Sequence, residues 1–247
     1  MSTPLAVAKW GTGYSRVVAL HGWGGSHATF LPFVPYVPGS HQLIAPDLPG
    51  YGQSELPTQW STKHIAEMIA QSVPNDRNVT LVGNCTGGVI GAELALMNSG
   101  RVNRMVVIDP FAYMPWYFGI FLKGNFGRMA YRTTFASKVG RYVTNQALRN
   151  RRTGDADLTD SFGRVNHDAV YAFLQMLAGH EGPARYDALD IPIDIITGEK
   201  TFGAVRKSVK MLQQIWPQSR VHVVAGAGHL PIEEQSGEVA KIVFSNE

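Results

Sequence analysis

The sequence predicts an α/β fold, a doubly wound, mostly parallel sheet interrupted by a helical insertion, on three observations. From the N-terminus to Ile108 the order reads strand, helix, strand, helix, strand. Gly22, Cys85 and Asp109 each stand at the carboxyl end of a strand, where sheets of this kind bind ligands. Residues 111–189 then read as mostly helical and rich in aromatics before strands resume. The expected division is a core of residues 1–110 and 190–247 with a helical insertion at 111–189.

Bulk properties narrow the function classes. The 247 residues are 45% hydrophobic and 17% charged, with no apolar run as long as a membrane span. The segment Met1 to Trp10 has no basic region followed by an apolar one, so no signal peptide is expected. One cysteine makes neither an internal disulfide nor a cysteine-rich metal site, and it fits a reducing, cytoplasmic compartment. No cofactor and no metal are expected. The net charge of +3 is unevenly spread: Phe111 to Arg152 holds eight basic residues (Lys123, Arg128, Arg132, Lys138, Arg141, Arg149, Arg151, Arg152) and no acidic one. That stretch is either a solvated helical face or a surface for an acidic partner or phosphate-bearing substrate. Nucleic acid is not indicated, because no binding motif accompanies the charge.

Taken in order, Leu5 to Trp10 and Ser15 to Leu20 read as strands with Gly11-Thr-Gly13 turning between them. The second runs into His21-Gly-Trp-Gly-Gly25, a turn whose backbone N–H groups would point into the space above the sheet and bind an anionic oxygen. Prolines at 32, 35 and 38 leave that stretch as loop or short turns. His41 to Pro46 is the next strand, closing on Asp47-Leu-Pro-Gly-Tyr-Gly-Gln-Ser54, where Asp47 reads as a turn former. Thr62 to Val73 has helical spacing, a cap at Ser61 and a terminator at Pro74.

The stretch from Val79 to Gly91 joins an apolar β-branched run to a helical segment that begins at Gly87. Asn84, Cys85 and Thr86 are left on the corner. A strand that reverses into a helix within three residues strains its central residue and needs tiny neighbours, here Gly83 and Gly87. The helix, expected to reach about Ser99, aims the positive end of its dipole at Cys85 and favours the nucleophilic thiolate. The bland alternative is a buried strand end with a small apolar cysteine. Val102 to Ile108 is the next strand, and Asn150 to Asp160 is the expected loop within the insertion. The sheet resumes at Ile191 to Gly198, followed by a helix from Ala204 to Trp216 and a strand from Arg220 to Val224. Ala225-Gly-Ala-Gly-His-Leu-Pro-Ile232 and a helix from Glu234 to Phe244 complete the chain.

The motifs H-G-W-G-G, D-L-P-G-Y-G-Q-S, G-N-C-T-G-G and A-G-H-L-P resemble, in order and spacing, those of the α/β-hydrolase superfamily across nearly the whole chain outside the insertion. The chain is similar to the cap-bearing branch, with Cys85 where serine usually stands in the nucleophile elbow. That resemblance implies the α/β-hydrolase fold with a helical cap after the sixth strand, in the superfamily's count. The cap would roof an apolar acyl or aryl pocket, to which Trp116, Tyr117 and Phe121 are assigned. H-G-W-G looks like the version in carboxylesterases of the biotin pathway, which implies oxyanion-hole donors at the Trp23 and Thr86 N–H groups. His229 matches the catalytic histidine. The acid departs from the pattern: the usual G-x-x-D is Gly198-Glu-Lys-Thr201 here, and Thr201 has no carboxylate. Asp109 is the substitute, at a strand end where some haloalkane dehalogenases carry their acid; its bland reading is a helix cap or strand terminus. Glu199 is the runner-up, and Asp194, mid-strand, faces away.

These residues imply nucleophilic acyl transfer, by an acyl hydrolase or acyltransferase acting on an ester, lactone or thioester with an apolar acyl part. Cys85 would carry the acyl group and His229 would be general base and acid. The basic insertion suits a coenzyme A or acyl-carrier-protein thioester. Two other readings stay open. One is a catalytically silent member that binds a small ligand, favoured by Thr201 and by cysteine at the elbow. The other is a cofactor-free lyase or isomerase with His229 as base and Cys85 incidental.

Overall fold

The computed structural model describes residues 5–73, 75–98 and 100–245; the expected helix terminator Pro74 and helix end Ser99 lie outside the described residues. Seven strands form one sheet: β1 (Val7–Trp10), β2 (Ser15–Leu20), β3 (His41–Pro46), β4 (Val79–Asn84), β5 (Val102–Ile108), β6 (Ile193–Gly198) and β7 (Arg220–Val224). Their order is β1-β3-β2-β4-β5-β6-β7, and all pairs are parallel except β1 with β3. The Gly11 to Gly13 turn therefore closes no hairpin. β2 is paired on both sides, by β3 and β4, and β1 is left the outer edge of β3.

Strand side chains alternate between two cores, as a period of two requires of a sheet covered on both faces. Val18, Leu20, Ile44, Leu81, Met105, Val107 and Ile195 pack on one face. Val17, Ala19, Leu43, Ala45, Val82, Val106, Ile108 and Ile196 pack on the other. Each such fully buried large side chain contributes about 1.5–3 kcal/mol over leaving it in water. The first face carries α1 (Thr62–Ser72), whose N-terminus Ser61 caps by accepting the His64 N–H at 3.2 Å, and the largely buried α2 (Gly87–Met97).

Between β5 and β6 every regular element among the described residues is helical: α3 (Gly124–Tyr131), α4 (Lys138–Ala147), α5 (His167–Ala178) and several shorter turns. Counted along this chain, the insertion follows the fifth strand and not a sixth, because β1 is all that precedes β2. After β6 come α6 (Gly203–Ile215), β7, and a terminal helix in two pieces, α7 (Pro231–Glu234) and α8 (Ser236–Val243). The proline-rich stretch is a 3-10 helix over His27–Tyr36 that runs through Pro32 and Pro35. Asp194 lies buried within β6, bound by Arg104 at 2.6 Å and by Arg220 and His222 at 3.0 and 2.8 Å. It braces three strands, away from Cys85.

Candidate active site

Cys85 sits at the corner between β4 and α2 with φ of 53°. Asn78 and Asp109 (φ 47°) are the other left-handed non-glycine residues described. Two of the three strained positions thus meet at one place, and such strain costs on the order of 1–3 kcal/mol each. The corner is held tightly: Cys85 N–H donates to Ile108 O at 2.8 Å, and a Cβ on Gly87 would lie 2.3 Å from Leu20 O. Glycine is the one residue that lets α2 start this close to β2.

Asp109 is wholly buried and its carboxylate meets four donors. Thr197 Oγ1 and the Gly198 N–H donate to Oδ1 at 3.0 Å each, while Thr201 Oγ1 and His229 Nδ1 donate to Oδ2. These four donors meet the hydrogen-bonding need of a carboxylate buried away from water. His229 lies between Asp109 and Cys85 and interacts with both. Burial disfavours its imidazolium, but hydrogen bonds to Asp109 and Cys85, and their charges, override burial and push its pKa up to about 10. The edges of Phe202 and Phe111 close on the ring at centroid distances of 4.8 and 5.5 Å. Its own N–H donates to Arg151 O at 2.8 Å, and Thr153 Oγ1 donates to Gly226 O at 2.6 Å, so the insertion braces the histidine loop.

Glu199, the runner-up acid, lies elsewhere: its carboxylate accepts the Gly226 N–H at 2.8 Å and is exposed. It turns to the loop after β7 because it sits at the rim of the sheet, whereas Asp109 points inward beneath His229.

The His21 to Gly25 turn is rigid. His21 Nδ1–H donates to Gly22 O at 2.9 Å while Nε2 accepts the Leu48 N–H at 3.0 Å, which fixes a neutral tautomer. Burial lowers the pKa of His21 to about 4, against smaller opposing contributions from Gly22 and Asp47. Asp47 is buried behind the turn and accepts the His27 N–H (2.8 Å), His27 Nδ1 (2.9 Å) and the Gln53 N–H (3.1 Å). The Trp23 N–H, expected to face the pocket, is engaged: it donates to Thr86 Oγ1 at 2.9 Å. The Thr86 N–H has no partner among the described residues.

Above Cys85 opens a pocket of about 1490 Å³, lined among others by Trp23, Cys85, Thr86, Phe111, Phe202 and His229. The insertion supplies Tyr117, Phe118, Phe135 and Phe162. Of the three aromatics assigned from sequence, Tyr117 alone lines it. Trp116 is 89% exposed, because its short 3-10 helix turns it outward. Phe121 is absent from that lining and packs against the main core instead, its ring 5.5 Å from Phe135 and 6.0 Å from Phe118. Phe202 was missed, although it directly follows the anomalous Gly198 to Thr201 turn, and that adjacency was the available signal. Within the basic stretch Arg128 and Arg132 bind Asp168 at the surface, at 2.7 and 2.9 Å, and Arg141 donates to Phe135 O and Ala136 O, while Lys123, Lys138 and Arg149 are exposed. No cluster of three or more His, Cys, Asp or Glu placed to hold a metal is found among the described residues, and none of their helices is long and apolar enough to cross a membrane.

The profile of the Alpha/beta hydrolase family matches residues 17–242. The chain is 25% identical over 256 residues to the pimeloyl-(acyl-carrier protein) methyl ester esterase of Aeromonas hydrophila subsp. hydrophila, covering 97% of each. Among solved structures it resembles the esterase EaEST from Exiguobacterium antarcticum, with a TM-score of 0.79, 16% identity and 98% of each chain covered. A thermophilic esterase from Thermogutta terrifontis superposes with a TM-score of 0.76 at 20% identity, covering 97% of this chain and 91% of that one. At such identities the structural likeness speaks to fold alone.

Proposed function

The chain belongs to the alpha/beta hydrolase family, and from that premise we propose that it is an ester-cleaving enzyme working through an acyl-Cys85 intermediate. The observation that carries the reading is that His229, hydrogen-bonded to Asp109, stands with Cys85 in the wall of the aromatic pocket. His229 already holds the proton drawn from Cys85, and the thiolate beside it attacks the ester carbonyl to form a tetrahedral oxyanion. Collapse expels the alcohol, which takes the proton from His229 and leaves acyl-Cys85. Water, deprotonated by His229, then attacks the thioester and releases the acid, and the thiol is restored. An acceptor other than water would make the same intermediate an acyl donor, so transferase and thioesterase chemistry fall within the reading. A reducing, cytoplasmic setting suits it, because the thiol must stay reduced.

The substrate we propose is an ester with an apolar acyl part borne on a carrier. Support comes from the named activity of the Aeromonas relative and from a pocket of about 1490 Å³, larger than the roughly 300–1,000 Å³ typical of small-ligand sites. The basic stretch adds little to it, since Arg128, Arg132 and Arg141 are engaged within the chain. Helical residues 111–189 act in this reading as the cap that keeps water from the acyl group.

Intact-protein mass spectrometry tests the proposal, using a panel of activated acyl esters and acyl thioesters on the wild type and on Cys85→Ala. A transient mass increase equal to the acyl group, absent in Cys85→Ala, is expected. Turnover that survives Cys85→Ala without an adduct would transfer the chemistry to His229 as a base. No adduct and no turnover would favour the ligand-binding reading.

A further inference from the structure

Thr86 follows Cys85 directly and is the N-cap of α2, yet its side chain caps nothing there. A threonine at this position ordinarily turns its oxygen to the N–H of the second or third helical residue. Here Oγ1 reaches across the pocket wall instead and accepts the Trp23 N–H at 2.9 Å, a contact between residues 63 positions apart. Both residues line the pocket with Cys85 and His229. The amide that the H-G-W-G turn would present to an oxyanion is thus engaged by a hydroxyl. That hydroxyl has one proton of its own to donate, and no acceptor for it is found among the described residues.

We propose that the Thr86 hydroxyl is itself an oxyanion donor, polarised by the Trp23 N–H behind it, and that it works beside the Thr86 N–H. The proposal rests on the acyl-Cys85 reading. A hydroxyl that accepts one hydrogen bond donates a stronger one, and O–H to O⁻ bonds are among the short, charge-assisted kind. No covalent bond to Thr86 forms or breaks. As the thiolate adds to the carbonyl carbon and the C=O electron pair moves onto oxygen, the hydroxyl keeps its proton and donates it as a hydrogen bond to that oxygen. The donor relay runs from Trp23 N–H through Thr86 O–H to the oxyanion, and the turn braced by His21 holds its far end.

The test compares wild type, Thr86→Val, Thr86→Ala and Thr86→Ser in two reactions of the same thiol. The first is acylation of Cys85 by an activated ester, followed by mass spectrometry. The second is alkylation of Cys85 by iodoacetamide, in which no carbonyl oxygen gathers charge. Thr86→Val and Thr86→Ala should lose about 10²- to 10³-fold in acylation rate, chiefly in kcat and not KM, and alkylate at the wild-type rate. Thr86→Ser should recover acylation to within about tenfold of wild type. Acylation by Thr86→Val or Thr86→Ala at or above the wild-type rate would overturn the proposal, because the freed Trp23 N–H would then be the better donor. Equal losses in both reactions would also overturn it, marking Thr86 as a support for the elbow. No adduct on wild-type Cys85 would instead remove the acyl-Cys85 reading on which the relay depends.

Discussion

Thr201 donates its hydroxyl proton to the Asp109 carboxylate oxygen that also receives His229 Nδ1–H. Thr201 and His229 thus share one oxygen of the buried Asp109 carboxylate. Asp109, on the strand next to the elbow strand, reaches the same histidine from a neighbouring point on the sheet rim.

Asp109→Asn is expected to lower kcat/KM for an activated ester by about 10²-fold or more, since the amide cannot stabilise the imidazolium as it forms. Thr201→Val should cost less, because three other donors still hold the carboxylate. Glu199→Gln should leave kcat/KM unchanged. Steady-state kinetics on the three variants checks the order, and a loss confined to Glu199→Gln would reverse the assignment of the acid.

The protonation of His229 carries a pH signature in stability. Its folded pKa, about 10, lies above the ordinary value of about 6.5, so the folded state holds its proton more tightly. The stabilisation it brings is fully present below pH 6.5 and drains away as pH rises through about 10. Urea unfolding of wild type and His229→Gln between pH 6 and pH 10 should show the stability gap narrowing as pH rises. A gap that widens with pH would contradict the assignment.

Gly22→Ala tests how closely the first turn approaches Cys85. A Cβ there would stand 2.7 Å from Cys85 Cβ and 2.9 Å from Asn84 O, so the elbow or the turn must move. A loss of about 1–3 kcal/mol in unfolding free energy is expected, with a larger fall in acylation than in iodoacetamide alkylation. Wild-type kinetics in a destabilised variant would show that the two turns move independently.

Bracing of the histidine loop by the insertion is tested with Thr153→Val, which removes the 2.6 Å hydrogen bond to Gly226 O. Stability should fall by only about 0.5–1.5 kcal/mol. The acylation rate should fall several-fold, because the loop also hangs from Arg151 O through the His229 N–H. An unchanged rate would show that Arg151 O and Asp109 hold the histidine without this hydrogen bond.

The strained corner at Cys85, the glycine-rich turn after β2 and the strand alternation were legible in the sequence because each is set by neighbours a few residues away. A strand period of two, a glycine at a strained corner and a proline in a turn are local requirements, and the side chains state them directly. The choice of acid belongs to the tertiary structure. Asp109 and Glu199 were both admissible by position, and what separates them is that β5 and β6 pair side by side and bring Asp109 beneath His229, 120 residues on. The aromatics divide in the same way. Trp116, Tyr117 and Phe121 share one short stretch, and only the packing of the insertion sends one outward, one to the pocket and one against the main core. The meeting of Trp23 with Thr86 is likewise invisible to any local pattern, since it exists only where two strand ends are laid next to each other by the sheet.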